Sequence, residues 1–356
     1  MKNRKSVVWS APEVLLYNEG IMPKIGPGEV LVRVESCAIC GSDLRILKHG
    51  NSRVKSGQII GHEISGVISK VADDVEGWHV GDHISVGADI PCGQCIHCLS
   101  GRANCCDINY AIGHQFEGGF TDYMILNKLT LTRGPVVKLL KKTDFDFAAL
   151  AEPLACCING YERGLMTVGR SVVIFGAGPI GMMLGMLAFT YQAPKVILID
   201  TNMKRLQMAA SIGVGTHFLD SSVVDPVVEV LRLTEGLGAD MIFTACPAVE
   251  THEHAIAMVA KRGVVNLFGG LPQSSRSVAL DSNFIHYREA YITGSHGSTP
   301  EQHAKAVQLI ESGQISVDRL VTHRFSLEEI NEAYKVASSG EAIKVVIKPN
   351  EQSRSL

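Results

Sequence analysis

Residues 171–200 read SVVIFGAGPIGMMLGMLAFTYQAPKVILID. Within this stretch, Val172–Phe175 predicts a short buried strand, and the G-x-G-x-x-G pattern of Gly176–Gly181 predicts a tight turn that opens an apolar helix. Val196–Ile199 predicts a second buried strand. A strand, a glycine turn, a helix and a second strand in this order are typical of a unit that binds a dinucleotide. The alternative is a glycine turn in an ordinary α/β domain.

The glycine turn and Asp200 together predict a bound NAD. Glycines allow the backbone to approach a pyrophosphate at the helix N-terminus, where free N–H groups favour negative charge. Asp200 ends the second strand, 19 residues after Gly181. We expect its carboxylate to accept hydrogen bonds from the adenine ribose and to repel a 2′-phosphate, which favours NAD over NADP. The expected cofactor-binding residues are Gly176, Gly178, Pro179, Ile180, Gly181, Asp200 and Arg205.

Short apolar strands and helical stretches continue to alternate after Asp200. Further predicted strands are Met241–Phe243, Val264–Leu267 and Tyr291–Thr293. The predicted helices are Met203–Ile212, Pro226–Thr234 and Glu250–Ala260. This alternation predicts a parallel, doubly wound sheet.

The N-terminal part of the chain has a different pattern. Val30–Glu35, Ile64–Val71 and Asp82–Val86 are short β-rich runs separated by small residues, which is typical of an all-β barrel. At the other end of the chain, Ile343–Ile347 predicts a strand that lies too far from the alternating block to extend it. We therefore expect this last strand to return to the first domain.

Length and composition exclude several classes of protein. A chain of 356 residues suggests two domains, and 46% hydrophobic with 19% charged residues indicates a globular protein. The net charge of −3, without a basic run, argues against a nucleic-acid partner. No apolar segment for secretion follows the basic residues Met1–Lys5, so we expect a cytoplasmic location. Residues 171–194 are uncharged, but their glycines fit a strand, turn and helix better than a membrane span.

The cysteine pattern favours metal over disulfides, because the ten cysteines crowd into a few short stretches. Cys92, Cys95, Cys98 and Cys106 have the spacing C-x2-C-x2-C-x7-C, which lets a folded-back loop bring four thiolates around one tetrahedral zinc ion. An iron–sulfur cluster would need a shorter last gap and a following proline. Four protein ligands leave no position for substrate, so we expect a structural role. Cys105 competes as fourth ligand, and disulfides are the remaining alternative.

Three further potential metal ligands lie apart in the sequence, at Cys40, at His62-Glu63 and at Glu152. A cysteine, a histidine and a carboxylate can hold zinc while leaving one position for water or an alcohol oxygen, as a catalytic site requires. Spacing alone does not bring these residues together. A single cysteine or histidine is more often part of the ordinary structure.

Taken together, these motifs resemble the zinc-dependent medium-chain dehydrogenases of the alcohol dehydrogenase superfamily, from about residue 5 to residue 348. The resemblance rests on Cys40-Gly-Ser-Asp43, Gly61-His-Glu63, the four-cysteine segment and the G-x-G-x-x-G unit, in this order. Glu152-Pro-Leu154 stands where simpler alcohol dehydrogenases have a third zinc-binding cysteine, so the chain is most similar to the polyol (sorbitol) dehydrogenase branch. The implied α/β fold has a GroES-like β-barrel catalytic domain, residues 1–155 and 297–356, and a Rossmann NAD-binding domain with a doubly wound parallel sheet, residues 156–296.

The resemblance also implies a set of metal ligands. Cys40 and His62 would bind a catalytic zinc ion, and Glu63 would bind it directly or through water. Glu152 would either ligate this zinc or hold the zinc-bound water. With the structural site, this gives two zinc ions per chain.

The same resemblance implies roles for the residues around the metal. Ser42 would relay the substrate proton, and Asp43 would accept the other N–H of His62 and fix its tautomer. Many family members have a histidine at the outer end of the relay, where this chain has Arg45, which stays protonated near neutral pH. Water or His49 would then complete the relay.

The implied activity is the NAD-dependent, reversible oxidation of a secondary alcohol to a ketone. The substrate would be a small molecule, a polyol, sugar or sugar derivative, and the enzyme would be a homodimer or homotetramer without nucleic-acid or membrane partners. One alternative is oxidation of an amino-acid alcohol, as threonine 3-dehydrogenases perform. Another is a non-catalytic nucleotide-binding relative of the same fold.

Overall fold

The structure is a computed structural model that describes residues 3–275 and 277–351. The chain divides into two compact units. Met1–Ala155 and Gly297–Leu356 form the discontinuous unit, and Cys156–His296 form the inserted unit.

The strands of the described residues are numbered in chain order. They are β1 (Asn3–Ala11), β2 (Val14–Ile21), β3 (Val30–Ala38), β4 (Gln58–Ile59), β5 (Glu63–Val71), β6 (His83–Val86), β7 (Asp89–Ile90), β8 (Tyr110–Ala111), β9 (Tyr123–Leu126), β10 (Val136–Lys138), β11 (Val172–Phe175), β12 (Val196–Asp200), β13 (His217–Asp220), β14 (Ala239–Thr244), β15 (Val259–Leu267), β16 (Tyr291–Gly294), β17 (Val321–Ser326) and β18 (Lys344–Lys348).

The helices are numbered in the same way. They are α1 (Gly41–His49), α2 (Ile96–Leu99), α3 (Lys128–Arg133), α4 (Phe145–Ala149), α5 (Ala151–Arg163), α6 (Pro179–Thr190), α7 (Met203–Ile212), α8 (Pro226–Leu233), α9 (Val249–Ala257), α10 (Ser282–Arg288), α11 (Pro300–Glu311) and α12 (Ile330–Ser339). Short 3₁₀ helices are formed by Ala103–Cys105, Gln273–Ser275, Asp318–Leu320 and Leu327–Glu329.

The inserted unit is built on a six-stranded sheet in the order β13-β12-β11-β14-β15-β16, in which every neighbouring pair is parallel. Its central strand β11 pairs with β12 through Val172 and Val196, and with β14 through Val172 and Met241. Fully buried side chains such as Val173, Ile197 and Ile242 form its core. The predicted doubly wound parallel sheet is confirmed, and the glycine turn follows its central strand.

Two of the differences between this unit and the sequence prediction have a clear physical cause. The predicted helix Glu250–Ala260 is wrong at its C-terminal end, since α9 ends at Ala257 and β15 begins at Val259. The apolar spacing continues through Val259, but pairing of Val259 with Ala239 on β14 draws it into the sheet. Strand β13 was not predicted, because it is a short edge strand whose residues are all only half-buried.

The discontinuous unit contains a mostly antiparallel sheet in the order β10-β6-β5-β3-β18-β17, with β9 also paired to β3. The last strand, β18, pairs with β3 through Val346 and Ala38, and through Ile347 and Cys37. The expected return of the C-terminal strand to the first domain is therefore confirmed. This return places residues from both ends of the chain in one core, as shown by the fully buried Val32 and Ile347.

The uncharged stretch 171–194 forms strand β11 and helix α6. Among the residues that the structure describes, no helix has both the length and the apolar character that a membrane span requires.

Candidate metal centres and cofactor site

Four thiols form the first candidate metal centre. Cys92, Cys95, Cys98 and Cys106 bring their Sγ atoms within 4.8 Å of one another. Cys95 directly precedes α2 and Cys98 lies within it, and their Sγ atoms are 3.5 Å apart, while the Sγ atoms of Cys92 and Cys98 are 3.9 Å apart. Zinc–sulfur bonds of about 2.3 Å in a tetrahedron place the sulfurs about 3.8 Å apart. The four thiols therefore fit a zinc ion.

The surroundings lower the pKa of two of these thiols and raise the pKa of a third. Backbone N–H groups of Asp107 and Cys98 lower the pKa of Cys95 to about 6. Burial opposes ionisation of Cys106, but the N–H of Cys92, at 3.3 Å from its Sγ, helps to lower its pKa. Burial raises the pKa of Cys98 to about 12, and a bound cation would favour its thiolate.

The structure separates the two candidates for the fourth ligand. Cys106 is buried within the group, whereas its neighbour Cys105 is exposed and lies outside it. None of the ten cysteines, all of which fall in the described part of the chain, is assigned to a disulfide. The disulfide alternative thus gains no support.

Cys40, His62 and Glu63 form the second candidate metal centre, and their ligand atoms all lie within 4.8 Å of one another. Cys40 precedes helix α1, and Glu63 begins strand β5. Cys40 is half-buried, while His62 and Glu63 are buried. A thiol, an imidazole and a carboxylate are suitable zinc ligands, and three of them leave one position of a tetrahedron open. The donor set therefore fits a catalytic zinc ion.

Asp43 and Ser42 contact the two sides of the His62 ring. Asp43 Oδ1 lies 3.5 Å from Nδ1 of His62, and its Oδ2 accepts a hydrogen bond of 2.9 Å from the backbone N–H of Cys40. Burial opposes the charge on Asp43, but His62 and the N–H of Cys40 lower its pKa overall. Ser42 Oγ lies 3.4 Å from Nε2. This arrangement directs Nδ1 to Asp43 and leaves Nε2 for the metal.

Glu152 lies in the first turn of α5 and is buried, but its carboxylate is not among the atoms grouped within 4.8 Å. Burial, together with the carboxylates of Glu63 and Asp89, raises its pKa to about 7, against the opposing effect of His62 and Lys344. Glu152 is thus electrostatically linked to the second centre.

Two residues near this centre were missed by sequence reasoning. Lys344 on β18 donates through Nζ to Glu63 Oε1 at 2.5 Å, and the only sequence signal for it is a charge within an apolar strand. The ring of His114 lies with its centroid 6.4 Å from that of His62. No local motif marks His114.

Arg45 and His49 both lie on α1 and are exposed. His49 lies seven positions after Ser42, which corresponds to about 10 Å along a helix. The structure therefore does not bring His49 to the relay position. Among the described residues, Arg45 forms no ion pair or hydrogen bond.

The glycine turn has the geometry that a pyrophosphate site requires. Gly176 has a φ of +100°, which favours glycine, and a Cβ on Gly181 would lie 1.8 Å from the carbonyl oxygen of Gly176. A Cβ on Gly178 would meet no atom within 4 Å, so the backbone there is open to a ligand. Pro179 and Ile180 begin helix α6 directly after it. These are the three roles of the glycines in dinucleotide sites.

Two further predicted cofactor residues lie after strand β12. Asp200 ends β12, and its Oδ2 accepts a hydrogen bond of 2.7 Å from the N–H of Ala177 in the glycine turn. Arg205 lies on α7, where its Nε is buried and finds no hydrogen-bond partner in the described part of the chain. The structure thus brings Asp200 to the turn and leaves an Arg205 donor unused.

Comparison with known proteins identifies the family of this chain. Residues 26–136 match the alcohol dehydrogenase GroES-like domain, and residues 179–312 match the zinc-binding dehydrogenase family. The chain is 32% identical over 337 residues to an L-threonine 3-dehydrogenase from Thermococcus kodakarensis, covering 92% of this chain and 93% of that protein. It is 30% identical over 329 residues to a sorbitol dehydrogenase from Halalkalibacterium halodurans, with the same coverage of 92% and 93%.

A solved structure with the same architecture is a protein described as a zinc-binding dehydrogenase from Sinorhizobium meliloti, bound to NADP. Its TM-score is 0.90 at 29% identity, and the match covers 98% of this chain and 100% of that one. These matches confirm the predicted fold class, a dehydrogenase activity, and zinc and NAD(P) as cofactors. The chain belongs to the zinc-dependent medium-chain dehydrogenases of the alcohol dehydrogenase superfamily.

Proposed function

We propose that this enzyme interconverts a secondary alcohol and its ketone, using NAD, on a polyol, a sugar or a sugar derivative. The observation that carries the proposal is the group of Cys40, His62 and Glu63, whose ligand atoms lie within 4.8 Å. Three protein ligands would leave one position of a tetrahedral zinc ion for the hydroxyl oxygen of the substrate.

A bound zinc ion would lower the pKa of the substrate hydroxyl, and NAD would accept the hydride. Cys40, His62 and Glu63 would hold the ion. Ser42 Oγ, at 3.4 Å from Nε2 of His62, would take up the substrate proton and pass it outward. Asp43 would keep the ring of His62 in its ligating orientation through the contact at Nδ1.

The proton path beyond Ser42 would run through water. The guanidinium of Arg45 has only donors and no acceptor atom, so it cannot receive the proton from Ser42. His49 lies two turns further along α1, at its exposed end.

Glu152 supports a substrate with several hydroxyl groups. With Cys40, His62 and Glu63 on the ion, Glu152 would hold a zinc-bound water, and its buried carboxylate would also accept a hydrogen bond from a neighbouring hydroxyl of the substrate.

A second candidate activity is the oxidation of an amino-acid alcohol. It is favoured by the similarity to an L-threonine 3-dehydrogenase, which is at least as close as the similarity to a sorbitol dehydrogenase. A threonine substrate carries both an ammonium and a carboxylate group, so a panel that contrasts threonine with neutral polyols separates the two activities.

The experiment that tests the proposal is a substrate panel followed by NADH absorbance. The panel contains free polyols, sugar phosphates, sugar acids and threonine, and we expect turnover with at least one polyol or sugar derivative. Replacement His62→Ala should abolish turnover and leave the far-ultraviolet circular dichroism spectrum unchanged. Turnover of threonine alone would favour the second activity. Full activity of His62→Ala after dialysis against a chelator would contradict the metal assignment.

The proposal includes a homodimer or homotetramer in the cytoplasm. Strand β16 is the outer strand of its sheet, and its Tyr291 and Ile292 are 57% and 38% exposed. An exposed apolar edge strand favours pairing with a second copy. Light scattering of wild type should give at least twice the mass of one chain. The variant Ile292→Lys should have a lower mass in the same measurement. A monomeric wild-type protein would contradict this part of the proposal.

A further inference from the structure

Lys344 is a buried lysine that contacts the second metal centre. It is 4% exposed, and its Nζ donates to Oε1 of Glu63 at 2.5 Å and to the carbonyl oxygen of Ile39 at 3.1 Å. Burial of an ammonium group is costly unless it is paired, and here Glu63 supplies the opposite charge. Pairing of strand β18 with its neighbours does not by itself require a charged residue at this buried position, so the role of Lys344 has to be sought in its contact with Glu63.

The backbone fixes Lys344 beside a metal ligand. The N–H of Ile39 donates to the carbonyl oxygen of Val345 at 2.9 Å, so β18 is anchored one residue before Cys40. The same register of β18 against β3 places the side chain of Lys344 on Glu63, 281 residues away in the sequence. Glu63 and Ile39, the residue before Cys40, thus contact the same short segment of β18.

The two oxygens of Glu63 have different surroundings. Oε1 accepts from Lys344, whereas Oε2 is buried and has no hydrogen-bond partner within the residues that the structure describes. Cys40 and His62 lie with their ligand atoms within 4.8 Å of the carboxylate. Glu63 is thus grouped with a thiol and an imidazole and keeps one buried carboxylate oxygen available to bind a metal ion.

We propose that Lys344 is a positioning residue of the catalytic metal centre. By holding Oε1 of Glu63, it leaves only Oε2 free to bind the metal, so the carboxylate ligates through one oxygen. Ligation through both oxygens would fill the position that the substrate hydroxyl needs. This inference rests on the proposed function, in which Cys40, His62 and Glu63 hold a catalytic zinc ion.

The chain offers a matched control on the same strand. Lys348 lies four residues after Lys344 and pairs through Nζ with Asp146 at 2.6 Å. Lys344 is the first and Lys348 the last residue of β18. Asp146, the partner of Lys348, belongs to α4, pairs also with Arg324 and is not a proposed metal ligand. Loss of Lys348 therefore removes a comparable ion pair without touching Glu63.

The experiment measures how readily zinc is lost, not activity. Wild type, Lys344→Met, Lys348→Met, Glu63→Gln and the double variant Glu63→Gln/Lys344→Met are dialysed against a chelator, and zinc per chain is followed by emission spectroscopy. We expect Lys344→Met to lose the second zinc about 10–100-fold more readily than wild type, the usual effect of removing an outer-shell partner. Lys348→Met should retain zinc as wild type does.

The double variant tests whether Lys344 acts through Glu63. In the Glu63→Gln background there is no carboxylate to hold, so the added Lys344→Met change should not increase zinc loss further. If Lys344→Met fails to fold because Glu63 is left unpaired, this comparison still decides the question. The cobalt-substituted proteins give a second readout, since a change of Glu63 ligation in Lys344→Met should alter the visible d–d absorption.

Three results would overturn the inference. They are retention of zinc by Lys344→Met equal to or tighter than that of wild type, a further loss of zinc in the double variant relative to Glu63→Gln, and an unchanged cobalt spectrum in Lys344→Met. The proposed function fails in a different way, because wild type would then hold only the zinc of the four-cysteine site and His62→Ala would lose none.

Discussion

Asp200 Oδ2 accepts a hydrogen bond of 2.7 Å from the backbone N–H of Ala177, inside the glycine turn. The other oxygen, Oδ1, accepts from the N–H of Asn202 at 2.8 Å. Two backbone donors thus fix a carboxylate beside the turn where the pyrophosphate would bind. A charged acceptor in this place suits the free hydroxyls of an NAD ribose and opposes a 2′-phosphate.

We therefore predict that wild type prefers NAD and that Asp200→Ser reduces this preference by about tenfold or more, the equivalent of roughly 1–3 kcal/mol. The measurement is kcat/KM for NAD and for NADP. Asp220, which ends the neighbouring strand β13 in register with Asp200, provides the control. Asp220→Ser should leave the ratio unchanged, and equal use of both cofactors by wild type would refute the prediction.

A second prediction concerns the pH dependence of stability. His303 on α11 is fully buried, with Nε2 at 3.0 Å from Ser85 Oγ, which itself donates to the carbonyl oxygen of Ala148. Burial lowers the pKa of His303 to about 4. In the unfolded chain this imidazole takes up a proton near pH 6.5, whereas in the folded protein it does so only near pH 4. The free energy of unfolding therefore keeps its full value above about pH 6.5 and falls as the pH drops toward 4. At pH 4, His303 alone has lowered the free energy of unfolding by about 3 kcal/mol.

The test of this prediction is chemical denaturation at pH 7 and pH 5. His303→Gln keeps a donor for Ser85 but cannot be charged, so its free energy of unfolding should fall by about 2 kcal/mol less than that of wild type between these pH values. His286 is exposed, and His286→Gln should behave as wild type does. Equal pH dependence in His303→Gln and wild type would show that another group controls acid unfolding.

The fold was predictable where the signal is local. Strand β11, the glycine turn and β12 follow from apolar runs and glycine spacing within residues 171–200, and the structure places them as expected. The end of α9 was not predictable in this way, because Val259 fits the helical spacing and only its partner Ala239 draws it into the sheet. Tertiary pairing overrides local periodicity there.

The candidate sites show the same contrast. The four-cysteine group was predictable from its spacing, because all its members lie within one loop. Cys40, His62 and Glu152 were joined only by resemblance to a family, since no periodicity links residues so far apart. Lys344 was missed because its role exists only through the contact with Glu63, 281 residues away.

A third prediction concerns the four-cysteine site, to which we assign a structural zinc ion. Cys95→Ser should lower the zinc content by one per chain and reduce the free energy of unfolding by several kcal/mol, because ligand bonds to a closed site contribute to folding. Cys105 is the matched control, since it is exposed and lies outside the group. Cys105→Ser should change stability by less than about 0.5 kcal/mol. Two zinc ions and an unchanged melting temperature in Cys95→Ser would contradict the assignment.

The last prediction is that Arg45 binds an anionic group of the substrate, such as the carboxylate of a sugar acid or the phosphate of a sugar phosphate. Arg45 is exposed, forms no ion pair within the described chain, and follows Ser42 by three residues, so both side chains lie on one side of α1. A charge-assisted contact of roughly 1.5–3 kcal/mol means that Arg45→Ala should raise KM for an anionic substrate by about 10–100-fold and affect neutral polyols much less. Lys48→Ala removes the same charge one turn further from Ser42, and should have a smaller effect. A weaker binding of NAD in Arg45→Ala would instead assign Arg45 to a cofactor phosphate. Faster turnover of free polyols than of every anionic compound would exclude the anionic substrate. An exposed guanidinium already donates hydrogen bonds to water, and a neutral hydroxyl of a polyol would offer it no stronger partner.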